Sequence, residues 1–368
     1  MKKIGILTFN NSYNYGAVLQ AFATQKFLSN MGNEAEFINY QNEYEYKYNK
    51  LFSYRKNLSL KRNIIILIKN TLFFSFWYCN KSFNKFIKSM PKTCRCNSEQ
   101  LNNLNFDIII AGSDQIWNPN IYGENMDWNF LLDFNTKAKK ISFASSLGSY
   151  KISDEYKEKY LKCLNDFYAI SVREDFAVKQ LEDLGLNNIK KVCDPTMLLS
   201  SKEWKNIINI PYKKIKGKKY ALVYLMSQYE EYEEQIKKIA DFYNLKIVLV
   251  SFSNLKRKYV DCYAKSYNPL EFLNILNDAE LVLTNSFHGT VFSLLFSKNF
   301  FNLENIKNPE RVKSLLKQMN LTDRIIKKND DVINSLKNIK DINYKKVQKE
   351  MEKFSKDSRD WLISKIGD

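Results

Sequence analysis

The sequence predicts an α/β protein of two successive Rossmann-like domains that face each other across a cleft. Short apolar runs alternate with segments of helical spacing along both halves of the chain, the pattern of parallel sheets covered by helices. The two series are joined across Asp194-Pro195, and a proline cannot continue a strand ladder. The chain, 368 residues, is long enough for two such cores.

The first half opens with an apolar strand at Ile4–Phe9 and an Asn-rich turn at Asn10–Tyr15. Gly16–Met31 has helical spacing and stops at Gly32; Glu36–Tyr40 then completes a βαβ unit. Residues 41–105 are irregular. Within them, the apolar stretch Ile64–Tyr78 carries a lysine and is too short to span a bilayer. It reads either as a long helix packed on the first domain or as an amphipathic helix lying on a membrane face. Regular strands return at Phe106–Ala111, Lys140–Ala144, Tyr168–Val172 and Ile189–Cys193. The first of these ends in Gly112-Ser113-Asp114, and the third delivers Arg173 and Glu174 to the start of a helix.

The second half repeats the alternation. Strands are expected at Tyr220–Met226, Lys246–Phe252 and Leu281–Leu283, and helices at Tyr232–Tyr243, Pro269–Ala279, Pro309–Met319 and Tyr344–Ile366. One stretch, Ala279–Phe301, has the clearest chemistry. A short strand runs into the elbow Thr284-Asn285-Ser286, whose side chains suit a helix N-cap, and the helix begins with His288 and Gly289. His288 is the single histidine of the chain. It stands where open α/β sheets bind ligands and where helix N-termini attract anions. A structural histidine bonded within the turn fits the same position. The expected division is a first domain at 1–197 with an insertion at about 41–105, a second at 198–340, and a terminal helix at 341–368.

The net charge of +17 suits anionic partners such as phosphorylated donors, lipid-diphosphate glycans or a membrane face; lysines spread evenly over a solvated surface suit it equally. No RNP-like or arginine-rich motif points to nucleic acid, and no GxGxxG or GxxxxGK[ST] loop is present. Of six cysteines, Cys94 and Cys96 form a C-x-C without the spacing or nearby histidine of a metal set. Free thiols in a reducing cytoplasm are expected, with no metal.

Six stretches, in order, resemble the polysaccharide pyruvyl transferase family: Leu7–Ala23, Asp107–Pro119, Ile141–Gly148, Ile170–Asp175, Val192–Leu199 and TNSFHGTVFSLLFSK around His288. The resemblance covers most of the chain to about residue 325. It implies a fold like that of the GT-B glycosyltransferases, with the acceptor on the first domain, the donor on the second, and the last helix crossing back to the first. It further implies transfer of a pyruvyl group from phosphoenolpyruvate to sugar hydroxyls in surface-polysaccharide biosynthesis, with no cofactor beyond that co-substrate. The acceptor would be a saccharide, free or lipid-linked. A nucleotide-sugar glycosyltransferase and a non-catalytic basic scaffold for glycan or nucleic acid are the alternatives.

Ketal formation needs cations for a phosphate and a carboxylate, an acid near the enol carbon, and a base near the acceptor. The resemblance assigns catalysis to His288. Family members carry an arginine two residues before this histidine; Ser286 stands there, beside Gly289 at the helix start. Arg173 is the expected replacement, since its fork matches phosphate or carboxylate, although pairing with Glu174 or Asp175 would occupy it equally well. Lys298 and Arg311 are the weaker donor candidates. Asp114 reads as acceptor base, hydroxyl anchor or turn cap, and Trp117 as a sugar platform or a core residue. Asn11, Asn14, Tyr15 and Gly16 would line the acceptor side.

Overall fold

The computed structural model describes residues 1–40, 81–122, 126–215, 219–227, 230–251, 256–305 and 309–367. The stretch at 64–78 and most of the irregular insertion lie outside the described residues.

The first sheet is parallel and has the order β2-β1-β3-β4, from β1 (Lys3–Leu7), β2 (Glu34–Phe37), β3 (Ile108–Ala111) and β4 (Lys139–Ser142). Single bridges, Ile141 to Ala169 and Ser145 to Val172, join β4 to the short pair β5 (Ser171–Val172) and β6 (Lys190–Lys191). The central strand β3 is buried along its whole length, as its unbroken Ile-Ile-Ile-Ala requires. The second sheet is also parallel, with the order β12-β11-β10-β7-β8-β9. Its strands are β7 (Tyr220–Tyr224), β8 (Lys246–Val250), β9 (Cys262–Ala264), β10 (Leu281–Thr284), β11 (Asn299–Leu303) and β12 (Ile325–Ile326).

Helices connect the strands. In the first half they are α1 (Tyr15–Asn30), α2 (Lys81–Ser89), α3 (Asp154–Asn165) and α4 (Asp175–Asp183). In the second they are α5 (Ser201–Ile207), α6 (Glu233–Phe242), α7 (Pro269–Asp278), α8 (Phe287–Leu295), α9 (Glu310–Gln318), α10 (Val332–Asn338) and α11 (Tyr344–Gly367). The two switch-point helices are capped as their sequences dictate. Asn14 accepts from the Gly16 and Ala17 N–H groups to start α1, and Ser286 accepts from the Gly289 N–H to start α8. Gly289 is needed there, because a Cβ would come within 2.4 Å of Thr284 Oγ1 on the preceding strand.

Apolar packing joins the halves. Tyr15 of α1 stacks on Phe272 of α7 with ring centroids 4.3 Å apart, and its hydroxyl donates to the Tyr267 carbonyl. Helix α11 touches both halves. Near its start, Gln348 Nε2 donates to Leu294 O of α8 and the Tyr344 hydroxyl to Lys298 O. Near its end, Ser358 Oγ accepts from the Cys193 N–H, Trp361 packs on Phe143, and Ile366 O accepts from Lys2 Nζ. No helix among the described residues is long and apolar enough to cross a membrane.

Candidate active site

In both sheets the strand order reverses beside the first strand, between β1 and β3 and between β7 and β10. Such a reversal opens a crevice at the carboxyl edge of the sheet. Here the two crevices face each other, forming a cleft with a cavity volume of about 410 Å³. Asn14 follows β1, Asp114 follows β3, Met226 follows β7, and Ser286 with His288 follows β10; Arg311, at the start of α9, completes the wall. The volume is that of a small-ligand site.

The ionisable groups form one buried cluster drawn from both halves. Arg173, whose side chain is 2% exposed, donates from Nη1 to Asp194 Oδ2 at 2.6 Å and from Nε to Glu174 Oε1 at 3.2 Å. Asp114 Oδ1 stands 3.7 Å from Arg173 Nη2 and 3.6 Å from Arg311 Nη1, bridging the two guanidiniums. The Phe287 ring lies between the same two groups, 4.7 Å from Arg173 and 5.7 Å from Arg311. His288 Nε2 approaches Asp194 Oδ2 at 3.4 Å, an ion-pair contact without the geometry of a formed hydrogen bond. Asp194 Oδ1 accepts from both the N–H and the hydroxyl of Thr196.

Burial and charge pull these groups in different directions. Burial alone would raise the Asp194 carboxyl, but the charges of His288 and Arg173 and the Thr196 bond outweigh it and hold it well below the usual carboxylate range. Burial pushes Glu174 up despite Arg173 and the Ser146 hydroxyl, and Glu174 Oε2 has no hydrogen-bond partner. Burial would lower Arg173, yet its three carboxylates raise it. Arg311 is lowered, by burial first and by the Arg173 charge second, and its Nε is buried without a partner. An arginine stays charged regardless, so Arg311 is a cation whose surroundings do not fully compensate it.

The cleft therefore brings together Asp114, Asn14, Ser286, His288 and Arg311. Arg173 is placed differently from its expected position as a free anion ligand: carboxylates engage its Nη1 and Nε behind the cleft wall, and its buried Nη2, without a hydrogen bond, stands 3.7 Å from Asp114 Oδ1. Trp117 is fully buried, donates to Phe130 O and packs on Phe167, so no face is free for a sugar. Tyr15 belongs to the packing between the halves, and Asn11 is exposed and does not line the cavity, although its neighbour Ser12 does. Lys298 stands at the amino end of β11, the opposite edge of the sheet, and donates to Asn277 O. The Gly289 N–H is used by the Ser286 cap. Gly16 lies against His288: a Cβ there would sit 2.1 Å from Nδ1. Ser286 holds the helix cap and supplies no positive charge there.

Sequence reasoning missed Asp194 as a site residue, reading it only as the start of a linker. It follows β6 as Asp114 follows β3, and that strand-end placement was the available signal. No group of three His, Cys, Asp or Glu able to hold a metal occurs among the described residues.

Two facing parallel sheets with a cleft between their switch points define a GT-B-like enzyme fold. The chain belongs to the polysaccharide pyruvyl transferase family, whose model matches residues 14–308. It is thus a transferase of polysaccharide biosynthesis. No curated protein sequence matches it. Among solved structures, the UDP-GlcNAc 2-epimerase of Neisseria meningitidis bound to UDP-GlcNAc is similar over 100% of this chain and 99% of its own, at 10% identity and a TM-score of 0.53. The S. aureus MnaA–UDP co-structure is similar over 96% of this chain and 91% of its own, at 13% identity and a TM-score of 0.51. At these identities the likeness is one of fold.

Proposed function

We propose that the cleft transfers the pyruvyl group of phosphoenolpyruvate onto two hydroxyls of a saccharide, free or lipid-linked, in surface-polysaccharide assembly in the cytoplasm, with no cofactor. Residues 1–197 would act as the acceptor domain and 198–340 as the donor domain, braced by 341–368. The observation that carries the reading is Arg311, a guanidinium with an unpartnered Nε on the same cleft wall as the only histidine. The first turn of α8 adds backbone N–H groups and the positive end of a helix dipole. Together they suit a small dianion whose chemistry needs a proton donor.

In the proposed reaction C3 of the enol gains a proton and becomes the methyl group, leaving C2 cationic. One acceptor hydroxyl adds to C2 and loses its proton. Phosphate then leaves with its bonding electrons, and the second hydroxyl closes the ring. Two hydroxyl protons are released; one balances the proton taken by C3 and the other leaves with phosphate. His288 would handle the proton at C3, Asp114 the acceptor hydroxyl, and Arg311 the donor anion.

A thermal-shift series tests the donor, followed by phosphate release with candidate glycans. Phosphoenolpyruvate should raise Tm, and acceptor glycan should then trigger phosphate release. Stabilisation by UDP-GlcNAc and not by phosphoenolpyruvate would replace this reading with a nucleotide-sugar one; stabilisation by oligonucleotide alone would replace it with a scaffold.

A further inference from the structure

We infer that Asp194 is the positioning residue of His288, holding a proton on Nε2 so that Nδ1 is the nitrogen that exchanges protons with the substrates. The inference rests on the cleft being the site of pyruvyl transfer and adds which atom works and what orients it.

The two ring nitrogens have unlike surroundings. Nε2 is sealed from solvent, with Asp194 Oδ2 3.4 Å away. The Asp194 side chain is fully buried and its Oδ2 accepts a 2.6 Å hydrogen bond from the Arg173 guanidinium, which favours the carboxylate form whatever the charge of the imidazole. A buried carboxylate facing Nε2 favours the tautomer with the proton on that nitrogen, since a lone pair there would face negative charge. Nδ1 points instead toward the first turn of α1. There Gly16 has no side chain, and the neighbouring Asn14 and Ala17 line the cleft.

Asp194 is itself fixed. Thr196 gives two hydrogen bonds to Oδ1 and Arg173 one to Oδ2, so the carboxylate cannot rotate away from the imidazole. Arg173 thereby acts one step further back, as the group that aims Asp194. Gly16 has a matching role: its missing side chain leaves the space that Nδ1 uses. The elements meeting at this point come from both halves, with the imidazole on α8 and its carboxylate just after β6.

Because His288 is the only histidine, its imidazole nitrogens can be read without assignment in protein labelled with 15N-histidine. Two-bond 15N–1H spectra of the wild-type protein above the imidazole pKa should show the Nε2–H tautomer. The Nδ1–H tautomer would overturn the proposal, whatever the substrate proves to be. Asp194→Asn should mix the tautomers and lower kcat by up to about 10⁴-fold, the scale for losing an imidazole's orienting carboxylate, with donor KM little changed. Gly16→Ala, which retains Asp194 and Arg173 but puts a methyl group where Nδ1 and Cγ of the imidazole stand, should displace the ring and cut kcat. Wild-type kcat in a folded Gly16→Ala protein would also overturn it. A protein with the expected tautomer that releases no phosphate from phosphoenolpyruvate would refute the donor assignment and leave the Asp194–His288 relationship standing.

Discussion

Arg311 Nη1 and Asp114 Oδ1 stand 3.6 Å apart across the cleft, one from the helix that follows β11 and the other from the turn that follows β3. The pair is a direct ionic contact between the two cleft walls. It is loose, because Asp114 is shared with Arg173 at 3.7 Å and Arg311 Nε has no partner. An arriving anion can therefore take up Arg311 without first breaking a short hydrogen bond.

Arg311→Ala should weaken phosphoenolpyruvate binding by about a hundredfold, the loss of a charge-assisted hydrogen-bond pair. Its effect on folding should be small, since an incompletely compensated buried cation contributes little net stability. Calorimetric titration together with a urea melt separates the two. Unchanged donor affinity would remove Arg311 from the site.

Arg173→Ala should behave in the opposite way. It leaves Asp194 and Glu174 as buried carboxylates without their shared cation, which costs about 3–5 kcal/mol. The urea midpoint should fall sharply. A variant with wild-type stability and lost donor affinity would return Arg173 to the role of anion ligand.

Glu174 gives a pH signature. Its carboxyl is raised by burial, so the folded state binds this proton more tightly than the unfolded state does. Its contribution to stability is complete below the unfolded value of about 4.3 and is lost as pH rises through the raised folded value. Glu174→Gln removes that slope. Stability of the wild type minus that of Glu174→Gln should fall as pH rises from about 4 toward neutrality. A difference that stays level or grows in urea melts across this window would show that Arg173 compensates the charge fully.

His288→Gln should fold normally and lose about 10²–10⁴-fold in kcat, since proton transfer is a transition-state task. Tm and phosphate release measured together decide it. Near-wild-type turnover in the folded variant would leave His288 a structural residue.

The strand-to-helix elbows were legible in the sequence because each is local. Ser286 was readable as the cap of α8, and apolar β3 is buried throughout; Asn14, read as part of an Asn-rich turn, also caps α1. The partners of the charged residues were not legible. A strand-end arginine reads as a free ligand until Asp194, 21 residues away, is folded against it. Trp117 beside a turn resembles a sugar platform, and only the placement of Phe130, Phe167 and Tyr160 makes it core. Arg311, in a first helical turn, read as a weaker donor candidate beside Lys298. Its reach to Asp114 depends on how the two sheets dock, which no local pattern encodes. Residue spacing could rank strand ends as candidates but could not tell compensated charges from uncompensated ones.

Helix α11, with 24 residues, is about 36 Å long at 1.5 Å per residue. Gripping α8 near one end and the first half near the other, it works as a rigid beam laid across a joint. Leverage follows from that shape. The contacts of Ser358 with Cys193 and of Trp361 with Phe143 are made by the same helix whose other end holds α8, the element that carries His288. Chemistry in the cleft is thus open to tuning by substitutions on the back of the molecule that never touch a substrate.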